Sequence, residues 1–155
     1  MAGPASVAAA ASIPRAVPIP APGQLRAGAH TDYGAITILE VEEAPGGLQV
    51  RTRAAAWVDV SVVREGFVIN IGDLMMTWTN DRWLSNMHRV VNPPADAAGS
   101  TRRQSMVYFA NCNPDARIEC LPGCHGPGNP VRHAPITAGE HRRAKLAKSA
   151  KLAIG

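Results

Sequence analysis

The chain has 155 residues and a formal charge of +4, a length that gives room for one modest domain with a core and not for two. Arg142, Arg143, Lys145, Lys148 and Lys151 follow Glu140 with no acid after it, and without those five the chain stands at −1. The basicity is therefore a property of one terminal segment, a nucleic-acid partner is excluded by the lack of a basic stripe with interleaved aromatics, and no apolar run is long enough to cross a bilayer.

Met1 to Gly23 is rich in Ala and Pro, carries Arg15 as its one charge, and shows neither helical nor alternating periodicity. It reads as an irregular leader. Its apolar run, Val7 to Ala11, is too short and weak for a secretory signal. Cys112, Cys120 and Cys124 are an odd set that fits reduced thiols, so a cytoplasmic location is expected. The absence of acids before Asp32 makes organelle targeting the weaker alternative.

From Leu25 the pattern changes to short β-rich runs: Ala35 to Leu39, Leu48 to Arg51, Trp57 to Val60, Phe67 to Ile71, Trp83 to Val91 and Ser105 to Ala110. Gly46-Gly47, Gly72-Asp73 and Asn80-Asp81 supply turns. Short strands at this spacing predict an antiparallel sandwich or barrel. Leu74 to Thr79 fits either a helical turn or a bent strand, with Met75, Met76 and Trp78 as packing residues.

Cys120, Cys124, His125 and His133 invite comparison with a zinc site, but Pro122, Gly123, Pro127, Gly128 and Pro130 among them favour a turn-rich loop with incidental thiols. Thr137 to Glu140 forms a capping box that starts a helix from about Ala138 to Lys151. Its basic residues are expected to form a solvated face, with Leu146 and Ala150 packed inward; binding to an anionic membrane is a minor alternative.

The chemistry-bearing residues lie between these landmarks. In an extended strand His30 and Asp32 project from one face while Thr31 points away. His88, in a second strand-like run, is the candidate third ligand. Two imidazoles and a carboxylate form the facial set that holds Fe(II) with coordination positions open, whereas zinc would more often be closed by a fourth protein ligand. Arg103 and Ser105 repeat the same i, i+2 spacing, so a planar fork of donors and a hydroxyl share one face and match one end of a dicarboxylate. Arg102 should point outward.

Taken together, His30-Thr-Asp-Tyr-Gly34, Gly46-Gly-Leu-Gln-Val50, Trp57, Asn70-Ile-Gly-Asp73, His88-Arg-Val-Val91 and Arg103-Gln-Ser105, in this order, resemble the Fe(II)/2-oxoglutarate-dependent dioxygenase superfamily, specifically its isopenicillin N synthase-like branch. The resemblance runs from about Gln24 to the C-terminal region. It implies a mainly β fold, a double-stranded β-helix (jelly-roll) core with a C-terminal α-helix, and a division into a leader (1–23), a dioxygenase core (24–115) and a loop with a basic helix (116–155).

It also implies an oxidoreductase that uses Fe(II), 2-oxoglutarate and O₂ to hydroxylate or otherwise oxidise a small organic substrate. His30, Asp32 and His88 would hold the metal, and Arg103 with Ser105 the distal carboxylate of the cosubstrate. Asn70, Gly72 and Asp73 are read as a buried turn without chemistry, Tyr33 and Trp57 as core or rim packing, and Asn86 and Arg89 as supports of the distal His.

Members of this branch carry a long N-terminal region ahead of His-x-Asp, including helices and a strand whose Tyr bonds 2-oxoglutarate. Here no residue from Met1 to Ala29 is Tyr, so the core is expected to be incomplete on its N-terminal side, with an unpaired edge. Two alternatives accompany the main reading: a 2-oxoglutarate-independent iron oxidase of the same branch, and a shortened, inactive barrel acting as a binding module. Substrate identity and oligomeric state are left open.

Overall fold

Alternation along the strands sorts inward from outward residues in the computed structural model, which describes residues 6–13, 21, 23–44, 46–94 and 103–154. In β3 (Ile36–Val41), Thr37 and Leu39 are buried while Glu40 is exposed. In β8 (Arg103–Ala110), Arg103 is buried and Met106 and Tyr108 are exposed. These two strands pair antiparallel with Thr37 opposite Phe109 and Leu39 opposite Val107. The period of two thus puts one face of each strand on the interior.

The first sheet is completed by β6 (Val68–Ile71) on one side and β1 (Ser6–Ile13) on the other, in the order β1-β8-β3-β6. The second has the order β2-β7-β4-β5, from β2 (Ala27–His30), β7 (His88–Val91), β4 (Gly47–Arg51) and β5 (Trp57–Asp59). Both are antiparallel throughout, the mainly β architecture expected of a jelly-roll core. A two-stranded ribbon joins β9 (Arg117–Ile118) to β10 (Ile136–Thr137).

β1 corrects one expectation. Residues 6–13 of the supposedly irregular leader form a full ladder with β8, from Ser6 opposite Ala110 to Ile13 opposite Arg103. β8 is thereby paired on both sides, with β1 and with β3. Ladder hydrogen bonds are made by the backbone, so an Ala-rich run without side-chain alternation can enter a sheet while giving no periodic signal. Residues 1–5, 14–20 and 22 of the leader, Arg15 among them, and Arg102 lie outside the described residues.

The run Trp83 to Val91 is also shorter than expected, with pairing confined to His88–Val91. Ahead of it, Asn80 and Asp81 adopt φ of 52° and 65° and turn the chain. The amides of Trp83 and Ser85 are then taken locally, by Thr79 Oγ1 at 3.1 Å and Met76 Sδ at 3.5 Å.

The ambiguous segment is helical: α1 spans Asp73–Trp78. Its first amides have no side-chain cap. Asp73 N and Leu74 N donate instead to Asp32 O (2.8 Å) and Gly34 O (3.0 Å), so the loop after β2 caps the helix. Gly72 is required for this approach, because a Cβ there would overlap the Gly34 carbonyl.

Ile118, Leu74 and Ala138 form a buried cluster with Trp78, Cys112, Ala116 and Ile136 around it. This cluster seats the start of α2 (Ala138–Ile154). The capping box forms: Glu140 N donates to Thr137 Oγ1 at 3.2 Å, and Thr137 N donates to Glu140 Oε2 at 3.0 Å.

Two expectations for α2 fail. Lys145 is turned inward onto buried Asp73, with Nζ 2.7 Å from Oδ2, and does not belong to a uniformly solvated face. Leu146 is 50% exposed where inward packing was expected, because beyond Ala138 the helix is held by polar contacts, Lys145 to Asp73 and Ser149 to Tyr33; the side chain of Ala150 lies outside the described residues. Among the described residues no helix is long and apolar enough to cross a membrane.

Candidate metal and cosubstrate site

β2 ends at His30, so Asp32 lies on the loop that follows and not in the extended strand expected for His-x-Asp. The two side chains converge nonetheless. Pairing of β2 with β7 sets His30 directly opposite His88, with a register shift between Ala27 and His30. The imidazole centroids are 4.3 Å apart at an interplanar angle of 57°. His88 Nε2 lies 3.7 Å from Asp32 Oδ1.

One ligand atom from each of His30, Asp32 and His88 falls within 4.8 Å of the other two. Among the described residues no other group of His, Cys, Asp or Glu gathers in this way. Asp32 and His88 are buried and His30 is exposed, which leaves the cluster open on one side.

Hydrogen bonding fixes which atoms are free to coordinate. His30 Nδ1 lies 2.7 Å from Gly28 O, and His88 Nδ1 lies 3.0 Å from Asn86 O. A carbonyl oxygen only accepts, so each Nδ1 carries the proton and each Nε2 presents its lone pair. Asn70 Nδ2 donates to Asp32 Oδ2 at 3.3 Å, leaving Oδ1 turned toward His88. Such outer contacts orient metal ligands and hold their tautomers. The donor set therefore fits a divalent metal.

Arg103 lies at the first position of β8, buried to 4% exposure. Its Nη1 makes a long bond of 3.4 Å to Gly46 O, and its Nε has no partner among the described residues. Burial first, and then the nearby Arg26 charge, lower its pKa from the ordinary value. A buried guanidinium so poorly satisfied is suited to receive an anion. Gly47, at φ 144°, has no room for a Cβ against the guanidinium.

Ser105 shares the Arg103 face of β8, opposite Val41 and Ala11. The register of the neighbouring strand β1 thus places Ile13 and Ala11 alongside Arg103 and Ser105.

Two clefts serve these groups. Arg103 opens with Val41, Leu48, Val68 and Val91 into one of about 340 Å³. His30 and Asp32 open into another of about 460 Å³, walled by Leu74, Phe109, Leu146 and Arg142. Tyr33 lines this second cleft, its hydroxyl bonded to Ser149 Oγ on α2. Trp57 stands apart, with the Arg89 guanidinium 4.2 Å above its ring.

Three contributors escaped the sequence reading. Asn70 and Asp73 were given no role, and Thr31 was expected to point away. In the fold Asn70 bonds Asp32, while Thr31 Oγ1 donates to Asp73 Oδ2 at 3.2 Å. A signal for Asn70 was available: it is the amide at an inward position of an otherwise apolar strand, and such a group needs a partner.

Hydrogen bonds made by Asn80 and Asp81 organise the thiol loop. Asn80 Nδ2 donates to Cys124 O and Pro130 O, Arg132 N donates to Asn80 Oδ1, and His133 Nε2 sits 2.6 Å from Asp81 Oδ1. Burial tends to raise the Asp81 pKa, but hydrogen bonding and the charges of His133 and Arg132 prevail and lower it.

The family model of the 2OG-Fe(II) oxygenase superfamily matches residues 12–111. A 2-oxoglutarate-Fe(II) type oxidoreductase of Emericella nidulans is 38% identical over 122 residues, which cover 79% of this chain and 34% of that protein. Validamycin A dioxygenase of Streptomyces hygroscopicus subsp. limoneus is 39% identical over 108 residues, 70% of this chain and 29% of that one. The crystal structure of a 2OG-Fe(II) oxygenase family protein from Caulobacter crescentus superposes with a TM-score of 0.81 at 36% identity, covering 94% of this chain and 46% of that one. A full-length Neurospora crassa protein in complex with alpha-KG and thymine gives a TM-score of 0.75 at 38% identity, over 83% of this chain and 38% of that one. The chain thus spans less than half of the length of each of these relatives, from 29% to 46%.

Proposed function

Because the chain belongs to the 2OG-Fe(II) oxygenase superfamily, we propose that it is an iron- and 2-oxoglutarate-dependent oxidoreductase acting on a small organic molecule. The observation that carries this reading is the convergence of His30, Asp32 and His88, with both Nδ1 atoms committed to carbonyls.

In this reading His30 Nε2, His88 Nε2 and Asp32 Oδ1 hold Fe(II). When bound, the metal with O₂ and 2-oxoglutarate supplies the oxidising power for substrate C–H oxidation, the cosubstrate leaving as succinate and CO₂. The chain's own part is to bind and orient. Asn70 and the Gly28 and Asn86 carbonyls keep the ligand atoms aimed.

Arg103 pairs with the distal carboxylate, and Ser105 adds a hydroxyl from the same strand face. The Arg103 guanidinium abuts Gly47, which is paired with Val91, three residues along β7 from His88. The cleft walled by Leu74, Phe109 and Leu146 suits a largely apolar substrate, with the Arg142 side chain at its wall.

Anaerobic addition of Fe(II) and 2-oxoglutarate is expected to produce a weak visible charge-transfer band, abolished by His88→Ala. No band in a well-folded sample overturns the assignment.

One observation favours a second reading. β1 carries no Tyr beside Arg103 and Ser105, which suits a module that binds metal and 2-oxoglutarate without turnover. Succinate release with O₂ present excludes both this reading and a 2-oxoglutarate-independent iron oxidase.

A further inference from the structure

We propose that Lys145, on the C-terminal helix, is a positioning residue for the metal ligands and acts through Asp73; this rests on the iron-binding reading above. Asp73 is 2% exposed. Its Oδ2 receives Lys145 Nζ at 2.7 Å and Thr31 Oγ1 at 3.2 Å, and its backbone N–H donates to Asp32 O at 2.8 Å. Thr31 lies between two of the three ligands, so every contact Asp73 makes on that side bears on the loop that aims them.

A carboxylate this deeply buried is held in its orientation by the partners that satisfy its oxygens, a cation foremost. Lys145 supplies that cation from a helix 72 positions along the chain from Asp73. Without it, Asp73 loses the contact that fixes its Oδ2 and is free to rotate, which disturbs the acceptor on which Thr31 depends. The path runs from Lys145 through Asp73 to Thr31, and from there to His30 and Asp32. If Lys145 merely anchored α2, its loss would lower stability but leave the metal centre of the folded protein unaltered.

The test uses Co(II) as the probe, by anaerobic titration followed in the visible spectrum. Lys145→Met is expected to weaken Co(II) binding about tenfold and to shift the absorption band, the low end of the effect that loss of a direct contact to a metal ligand has. Lys145→Arg, which keeps the cation, is expected to restore both, and Thr31→Val to reproduce the Lys145→Met spectrum.

Should Lys145→Met fail to fold, the double variant Asp73→Asn/Lys145→Met removes the stranded charge, and the same weakening is expected of it. Wild-type affinity and spectrum in a folded Lys145→Met or double variant overturn the proposal while leaving the metal reading intact. Failure of the unaltered chain to bind Co(II) overturns the metal reading, and this inference with it.

Discussion

His30 and His88 are cross-strand partners, one at the end of β2 and the other at the start of β7, with their rings 4.3 Å apart. Each ring donates Nδ1–H to the carbonyl two residues earlier, at Gly28 and Asn86. Two sequence-remote histidines are thereby prepared in the same way, by backbone alone. Substitutions of Gly28 or Asn86 that preserve the backbone should be mild, and the sensitive outer contacts are those made by side chains.

Asn70 is the first of these. Asn70→Ala removes the donor to Asp32 Oδ2 and is expected to weaken Fe(II) or Co(II) binding about tenfold. The cost to folding should be only about 1 kcal/mol. Asn70→Asp, which sets a like charge against Asp32, should be worse for folding. Metal titration beside chemical denaturation separates the two effects, and an Asn70→Ala protein with unaltered metal affinity would contradict the assignment.

The second concerns 2-oxoglutarate. Gly47→Ala places a methyl group on the Arg103 guanidinium at a φ of 144°, so the guanidinium must move and the backbone is strained. A rise of about tenfold or more in the 2-oxoglutarate Kd is expected, equal to about 1.4 kcal/mol. Arg103→Lys should do the same without backbone strain, because an ammonium does not form the two-pronged pair. Calorimetry with metal preloaded would show the loss confined to the cosubstrate.

Helix α2 should respond to pH through its capping box. The Thr137 hydroxyl and amide hold the Glu140 pKa below its ordinary value of 4.5. A carboxylate with a depressed folded pKa stabilises the fold above its unfolded pKa, and that contribution fades as pH falls through the folded value. Helix content should therefore decline on acidification below about pH 4.5, and Thr137→Ala should flatten this part of the profile, as read by circular dichroism.

The thiol loop hangs on one amide. Asn80 is 3% exposed, at φ 52°, and bonds three backbone groups of the 124–132 region. Asn80→Ala is expected to cost about 2 kcal/mol and to open the loop to protease cleavage. Asn80→Gly, which relieves the φ but not the lost bonds, should not rescue it. Limited proteolysis against the unaltered chain checks both outcomes.

Most of the strands were legible because their backbone geometry and burial act on neighbouring residues, and alternation survives in the sequence from Ile36 to Val41 and from Arg103 to Ala110. β1 was not legible, since a ladder made by Ala backbone leaves no alternation to read. The role of Lys145 was hidden for a related reason. A basic residue in a basic helix resembles its solvated neighbours until the fold shows which one faces a buried carboxylate.

The sequence by itself determined what is local: the proximity of His30 to Asp32, the shared face of Arg103 and Ser105, and the Thr137–Glu140 cap, because the covalent spacing of a few residues dictates them. Tertiary structure decided everything that needed two distant segments to agree. It set His88 against His30, gave Asp32 its Asn70, and turned Lys145 onto Asp73. Register between strands and the satisfaction of buried charge depend on the whole packed chain, and no short window of residues encodes them.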